Sequence, residues 1–188
     1  SDTVTLVRTL VAGNTAPTGP EIFNDVTYSG TVLADNHNLF GVNGNAGVEG
    51  FSPGPTDIVP PAGVLLPNIL DPTLAFNGGP TQTHSLVPDS PAIDAGGAVC
   101  LDATGDPLLT DQRGKPRLVD GDGNGTAPCD IGAFELARNT ATGSNIAITP
   151  TTTLPNGTAS SISLIFDNVQ LAGETTVSAS SQGPPPPS

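Results

Sequence analysis

Residues 120–125 read Asp-Gly-Asp-Gly-Asn-Gly. Asp120, Asp122, Asn124 and Gly125 take the first, third, fifth and sixth positions of a calcium loop, where alternate residues turn oxygen-bearing side chains inward and glycine permits the sharp turn. The pattern breaks at the twelfth position. Ile131 stands there instead of a bidentate Glu, so Asp130 or Glu135 must close the shell from another geometry. Asp-Gly and Asn-Gly are also ordinary turn formers, and a solvated loop competes with calcium as the reading of this stretch.

A second cluster lies just upstream. Arg113, Lys115 and Arg117 stand among Asp94, Asp102, Asp106, Asp111 and Asp130. The planar guanidinium matches carboxylate geometry, so these residues would serve either as a receptor for a carboxylated sugar or as internal ion pairs. Internal pairing of Asp111 with Arg113 and Arg117 is the expectation. Cys100 and Cys129 bracket the cluster. If oxidised, they close a loop of about 30 residues, worth about 3 to 4 kcal/mol through restriction of the unfolded chain; the alternative is two buried thiols.

Enzymatic chemistry finds little support. Glycoside hydrolysis needs paired carboxylates at a set separation on one face, and the repeats offer only Asp25 and Asp35 in their vicinity, on turns and not on matched positions of adjacent strands. There is no Trp, and six Phe and one Tyr leave little for sugar stacking. His37 and His84 are remote from each other and from any nucleophile motif. No catalytic residue is assigned.

What positions these groups is a stretch with no helical periodicity. Its segments SPAIDAG (Ser90 to Gly96), TDQRGKPR (Thr110 to Arg117) and CDIGAFE (Cys129 to Glu135) occur in order, and resemble the C-terminal closing region of secreted bacterial right-handed parallel β-helix surface proteins of the choice-of-anchor type. The resemblance covers residues 1–135. It implies a capped β-helix, and a structural role for Asp111, Arg113 and Asp130.

The N-terminal part carries a repeat. Val4 to Asn14 aligns without gaps on Val26 to Asn36 at an offset of 22, with Val4/Val26, Thr5/Thr27, Thr9/Thr31, Ala12/Ala34 and Asn14/Asn36 identical. One coil of a parallel β-solenoid has this length, and equivalent side chains stack from coil to coil. The repeat predicts apolar stacks of Leu10 on Val32 and Leu6 on Tyr28, and an amide ladder of Asn14 on Asn36. Prolines at 53, 55, 60, 61 and 67 then predict a crossing over the end of the coil.

After Glu135 the composition turns to Ser, Thr and small apolar residues. Ser161 to Val169 alternates with Ile162, Leu164 and Phe166 on one face, and Glu174 to Ser180, containing Val177, is a further strand candidate, with Ile146 to Pro150 a third. These strands predict the start of a β-sandwich-like surface module, or strands donated to a neighbouring molecule. Four consecutive prolines predict an extended tail.

The domain reading is thus 1–76 for the coils and closing loop, 77–136 for the cap, 137–180 for the strand segment and 181–188 for the tail. The fold class is all-β, in keeping with 23 Gly, 20 Pro and no Met. With 18 acidic against 5 basic residues, the net charge of −13 repels nucleic acid and anionic lipid. Nothing approaches a membrane span, and the opening SDTVTL reads as a mature or excised piece. The expectation is a secreted, cell-surface structural protein that self-associates, or joins other surface-protein segments, through open strand edges. The alternatives are a calcium-dependent adhesin or glycan-binding fragment, and a polysaccharide lyase or hydrolase fragment.

Overall fold

The computed structural model describes residues 2–138, 140, 143–170, 173, 175 and 177. The chain divides into two compact units, Ser1–Leu136 and Ala137–Ser188. The division falls where the composition changes. The protein is all-β, built from short two-stranded sheets, and its helical turns are two single 3-10 turns among the described residues.

In the first unit three short strands are each followed, 26 to 29 residues later, by a parallel partner. Strand β1 (Thr3–Thr5) pairs with β4 (Thr31–Leu33), β2 (Leu10–Val11) with β5 (Leu39–Phe40), and β3 (Ile22–Phe23) with β6 (Val48–Glu49). Ile58 adds a parallel bridge to Leu39. The proline-rich stretch therefore adds a third layer at one point, where the sequence predicted a crossing.

The register differs from the 22-residue self-similarity. Val4 pairs with Val32, Leu10 with Leu39 and Ile22 with Val48. The cause is local. Asp25 accepts the Thr27 N–H and caps a 3-10 turn over Val26–Tyr28, which takes the matching residues out of strand and leaves Tyr28 exposed. The Asn14/Asn36 ladder is absent as well. The Asn14 amide donates to Glu21 Oε2 at 2.7 Å, and the Asn36 N–H to Asp57 Oδ1 at 3.2 Å.

The ladder role falls to Asn38, which is fully buried. Its Oδ1 accepts the Thr9 N–H at 2.9 Å, and its Nδ2 donates to Leu6 O and to Asp57 Oδ1. One side chain thus joins three successive layers. A buried amide with all these partners stabilises the stack; stripped of them it would cost about 1 to 3 kcal/mol.

Between Asn77 and Leu136 the chain forms only isolated bridges, Leu101 with Pro107 and Thr110 with Pro116 inside the segment, and Thr83 and Leu86 to Ala75 and Leu70 before it. It nevertheless supplies most of the core. Ala92, Ile93, Ile131 and Phe134 pack with Leu39, Ile69 and Leu86, and Leu10 and Ile58 join from the paired strands. Cys100 and Cys129 form a disulfide across 29 residues. Gly96 is required beside it, because a Cβ there would stand 2.6 Å from the Cys129 carbonyl oxygen.

The second unit is a long hairpin. Strand β7 (Gly143–Ile148) pairs antiparallel with β10 (Leu164–Val169), and β8 (Thr151–Thr153) with β9 (Ala159–Ser161). Pro150, which has no N–H to give, marks the break between the two ladders, and the Ile162 N–H closes onto its carbonyl. Ile162 consequently lies outside the strands. Leu164 and Phe166 oppose Ile148 and Ile146 of the same chain. Val177 is half-buried and outside any strand; the rest of the predicted strand 174–180, except Thr175, and the proline tail lie outside the described residues.

Candidate functional site

The site is best built outward from Asp111. Its Oδ1 accepts the N–H groups of Arg113 and Lys115, and its Oδ2 accepts Arg113 Nε at 2.8 Å and the Glu135 N–H at 3.0 Å. Burial opposes its charge. The Glu135 amide, the Arg113 guanidinium and the Lys115 amide outweigh that penalty and hold the carboxyl below its ordinary value. Arg113 donates onward to the carbonyls of Glu135 and Asn77, and its guanidinium lies 3.6 Å from the centre of the Phe134 ring. A Cβ at Gly79 would strike Arg113 Cα at 2.7 Å, which accounts for a glycine in the Asn-Gly-Gly-Pro turn.

A second pair lies alongside. Arg117 Nη1 reaches Glu135 Oε2 at 3.2 Å, and its Nη2 donates to Gly132 O at 2.7 Å. Arg113 therefore pairs with Asp111 as expected, whereas the carboxylate that Arg117 meets is Glu135 and not Asp111.

From Glu135 the acidic residues form a chain in which each carboxylate accepts the N–H of the next. Glu135 Oε2 accepts from Asp130, Asp130 Oδ1 from Asp94, and Asp94 Oδ2 from Gly121 and Asp122. Asp130 Oδ2 also takes the Leu136 N–H at 2.6 Å. Burial, with the charges of Glu135 and Asp94 adding to it, pushes the Asp130 carboxyl up to about 7. Burial likewise raises Asp94, reinforced by the charges of Asp122 and Asp120 and opposed by the two loop amides.

This chain reorganises the predicted calcium set. Asp94, Asp120 and Asp122 place one oxygen each within 4.8 Å of one another. Asp130 is committed to backbone amides instead, and Asn124 Oδ1 accepts from the Thr126 N–H. Asp94 Oδ1 is buried without a hydrogen-bond partner. These three carboxylates are the group that could hold a cation, with hard oxygen donors suited to calcium. Asp94 was not separable in sequence from the other aspartates, because it joins the loop from 26 residues upstream of Asp120.

Arg8 is another residue that sequence reasoning missed. It adopts a positive φ of 48° between β1 and β2. Its guanidinium donates to the carbonyls of Gly96, Leu101 and Val99, each at 2.6 Å, and its own carbonyl accepts the Gly132 N–H. Burial and the charge of Arg117 lower its pKa. Nothing in its spacing marked it, since an isolated Arg in a β-rich segment reads as a surface side chain.

His84 and the N-terminal carboxylates serve turns. His84 Nδ1 lies 2.8 Å from Asp71 O, Asp25 caps its own turn, and Asp35 Oδ1 accepts from Thr56. Beside β1 and β2 a cavity of about 620 Å³ opens, lined by Thr5, Arg8 and Leu10 with Leu86, Ile131 and Phe134 of the core. The disulfide is consistent with a chain outside the cytoplasm. Among the described residues no helix is long and apolar enough to cross a membrane. No protein family, no curated protein and no solved structure matches the chain.

Proposed function

We propose that this is a non-enzymatic extracellular structural module: a short right-handed parallel β-helix, of the bacterial surface-protein kind its cap resembles, that assembles into filaments through open strand edges. The observation that carries the reading is the pairing of β1, β2 and β3, each with a single strand partner among the described residues. A parallel strand satisfied on one side offers its other side to a further strand. The cavity beside β1 and β2 adds an apolar wall, so an incoming strand would gain both ladder bonds and burial. Contacts of this head-to-tail kind propagate unless they close.

The test is sedimentation velocity and negative-stain microscopy over a concentration series. Thr3 and Thr5 are exposed on β1, and Thr3→Lys with Thr5→Lys charges that edge without removing a core side chain. Polymers that grow with concentration and vanish in this variant, with the disulfide intact, support the reading. A monomer at every concentration overturns it.

A second reading, the calcium-dependent adhesin, is favoured by the convergence of Asp94, Asp120 and Asp122 and by the unpartnered Asp94 Oδ1. Calorimetric titration with calcium checks it: saturable heat that disappears in Asp122→Asn supports it, and no heat at millimolar calcium removes it.

A further inference from the structure

Asn124-Gly125-Thr126 has the Asn-x-Thr form of an N-glycosylation acceptor, and the same tripeptide recurs at Asn156-Gly157-Thr158. Both asparagines are exposed, one in each unit. In both, Asn Oδ1 accepts the Thr backbone N–H, at 2.8 Å from Thr126 and 3.0 Å from Thr158. At Asn124 two further contacts are made. The Thr126 hydroxyl donates to Oδ1, and Nδ2 donates to Asp122 Oδ2 at 2.7 Å.

Those contacts bear on reactivity. An amide nitrogen is a poor nucleophile because its lone pair is delocalised into the carbonyl. A hydroxyl bonded to the oxygen and a carboxylate bonded to the nitrogen both favour the imidate form, in which that lone pair is available. Access is open too. A Cβ built at Gly123 or Gly125 meets nothing within 4 Å, while Asp94 holds the base of the loop at Gly121 and Asp122. At Asn156 the residue two positions upstream is Leu154, which supplies no carboxylate.

We propose that Asn124 is an N-linked glycan attachment site, modified outside the cytoplasm by an oligosaccharyl transferase acting on a polyprenyl-diphosphate-linked oligosaccharide, and that Asp122 positions and polarises its amide. Nδ2 forms a bond to the sugar C1 as the bond from C1 to the diphosphate oxygen breaks. The lipid diphosphate leaves with the electron pair, and Nδ2 gives up one proton to a carboxylate base. No oxidant or metal redox change is involved.

The experiment is peptide mass spectrometry of the full chain isolated from the surface or medium of its source organism, before and after enzymatic glycan release. The expected result is a glycan on the Asn124 peptide and an unmodified Asn156 peptide. Expressed in the same organism, Asn124→Gln abolishes the modification, and Asp122→Ala lowers occupancy roughly tenfold or more, the loss of one charge-assisted hydrogen bond. The Cys100–Cys129 bridge in each variant verifies folding. An Asn124 peptide at its unmodified mass, or a glycan on Asn156 with Asn124 bare, overturns the proposal. Unchanged occupancy in Asp122→Ala overturns the part assigned to Asp122.

Discussion

Residues 77–136 contain no strand longer than an isolated bridge, yet they hold Asp111, Arg113, Asp130, Ile131 and Phe134 in the interior. Residues 143–169 are mostly strand, yet none of those whose exposure is described is buried. The hairpin is held by a backbone ladder between neighbours in sequence, and the cap by side chains that take backbone amides and carbonyls from distant segments. Regular structure and a fixed interior are therefore separate properties here. A ladder needs only two strands to meet its hydrogen bonds, whereas an irregular loop can be buried only if side chains satisfy each polar group of its backbone.

The largest effect should come from removing the hub of the cap. Arg113→Ala leaves Asp111 buried without its cationic partner, and should cost about 3 to 5 kcal/mol. Urea unfolding should register that loss, and hydrogen exchange should speed up at Asp111 and Glu135 while residues 143–169 keep their protection. Equal loosening of both regions would erase the distinction between them.

The pH dependence sharpens it further. Asp130 has a folded pKa raised to about 7 from the ordinary 3.8. The folded state thus binds more protons than the unfolded state between those values, and this residue's contribution falls as pH rises from about 4 to about 7. Asp111, shifted the other way, loses its contribution only as pH falls below the ordinary carboxylate value. Asp130→Asn should flatten the decline between pH 4 and 7, measured as urea midpoints of cap unfolding. The groups facing Asp130 are Asp94, Glu135 and, through its carbonyl, Arg117, so a decline that survives in the variant would assign the titration to Asp94.

The smallest effect belongs to the hairpin. Phe166→Ala removes one half-buried cross-strand contact with Ile146, worth about 0.2 to 1 kcal/mol. Exchange should quicken along β7 and β10 and leave the cap amides unchanged.

Legibility in the sequence follows the same division. The all-β class was readable, because a chain rich in Gly, Pro, Thr and Val allows only short strands between frequent turns. Their register was not, since the Val4/Val26 similarity falls where Asp25 converts the second copy into a turn. The pairing of Asp111 with Arg113 was readable because the residues are two apart. Arg8 and Asp94 were invisible for the opposite reason: each acts on backbone groups dozens of residues away, and such partners have no side-chain signature. Asn38 was hidden beside Asn36, which carried the repeat match while its neighbour took the buried position.

The Arg8 clamp also imposes an order of events on the chain. Its three carbonyl partners lie 88 to 93 residues downstream, so a polypeptide emerging from its N-terminus cannot fasten the first strand corner until Leu101 has followed. Until then the corner is held by β4, β5, Asn38 and the Arg8 N–H bond to the Asn36 carbonyl. Closure of this corner is accordingly a late step in folding, because contacts of such long sequence separation form slowly.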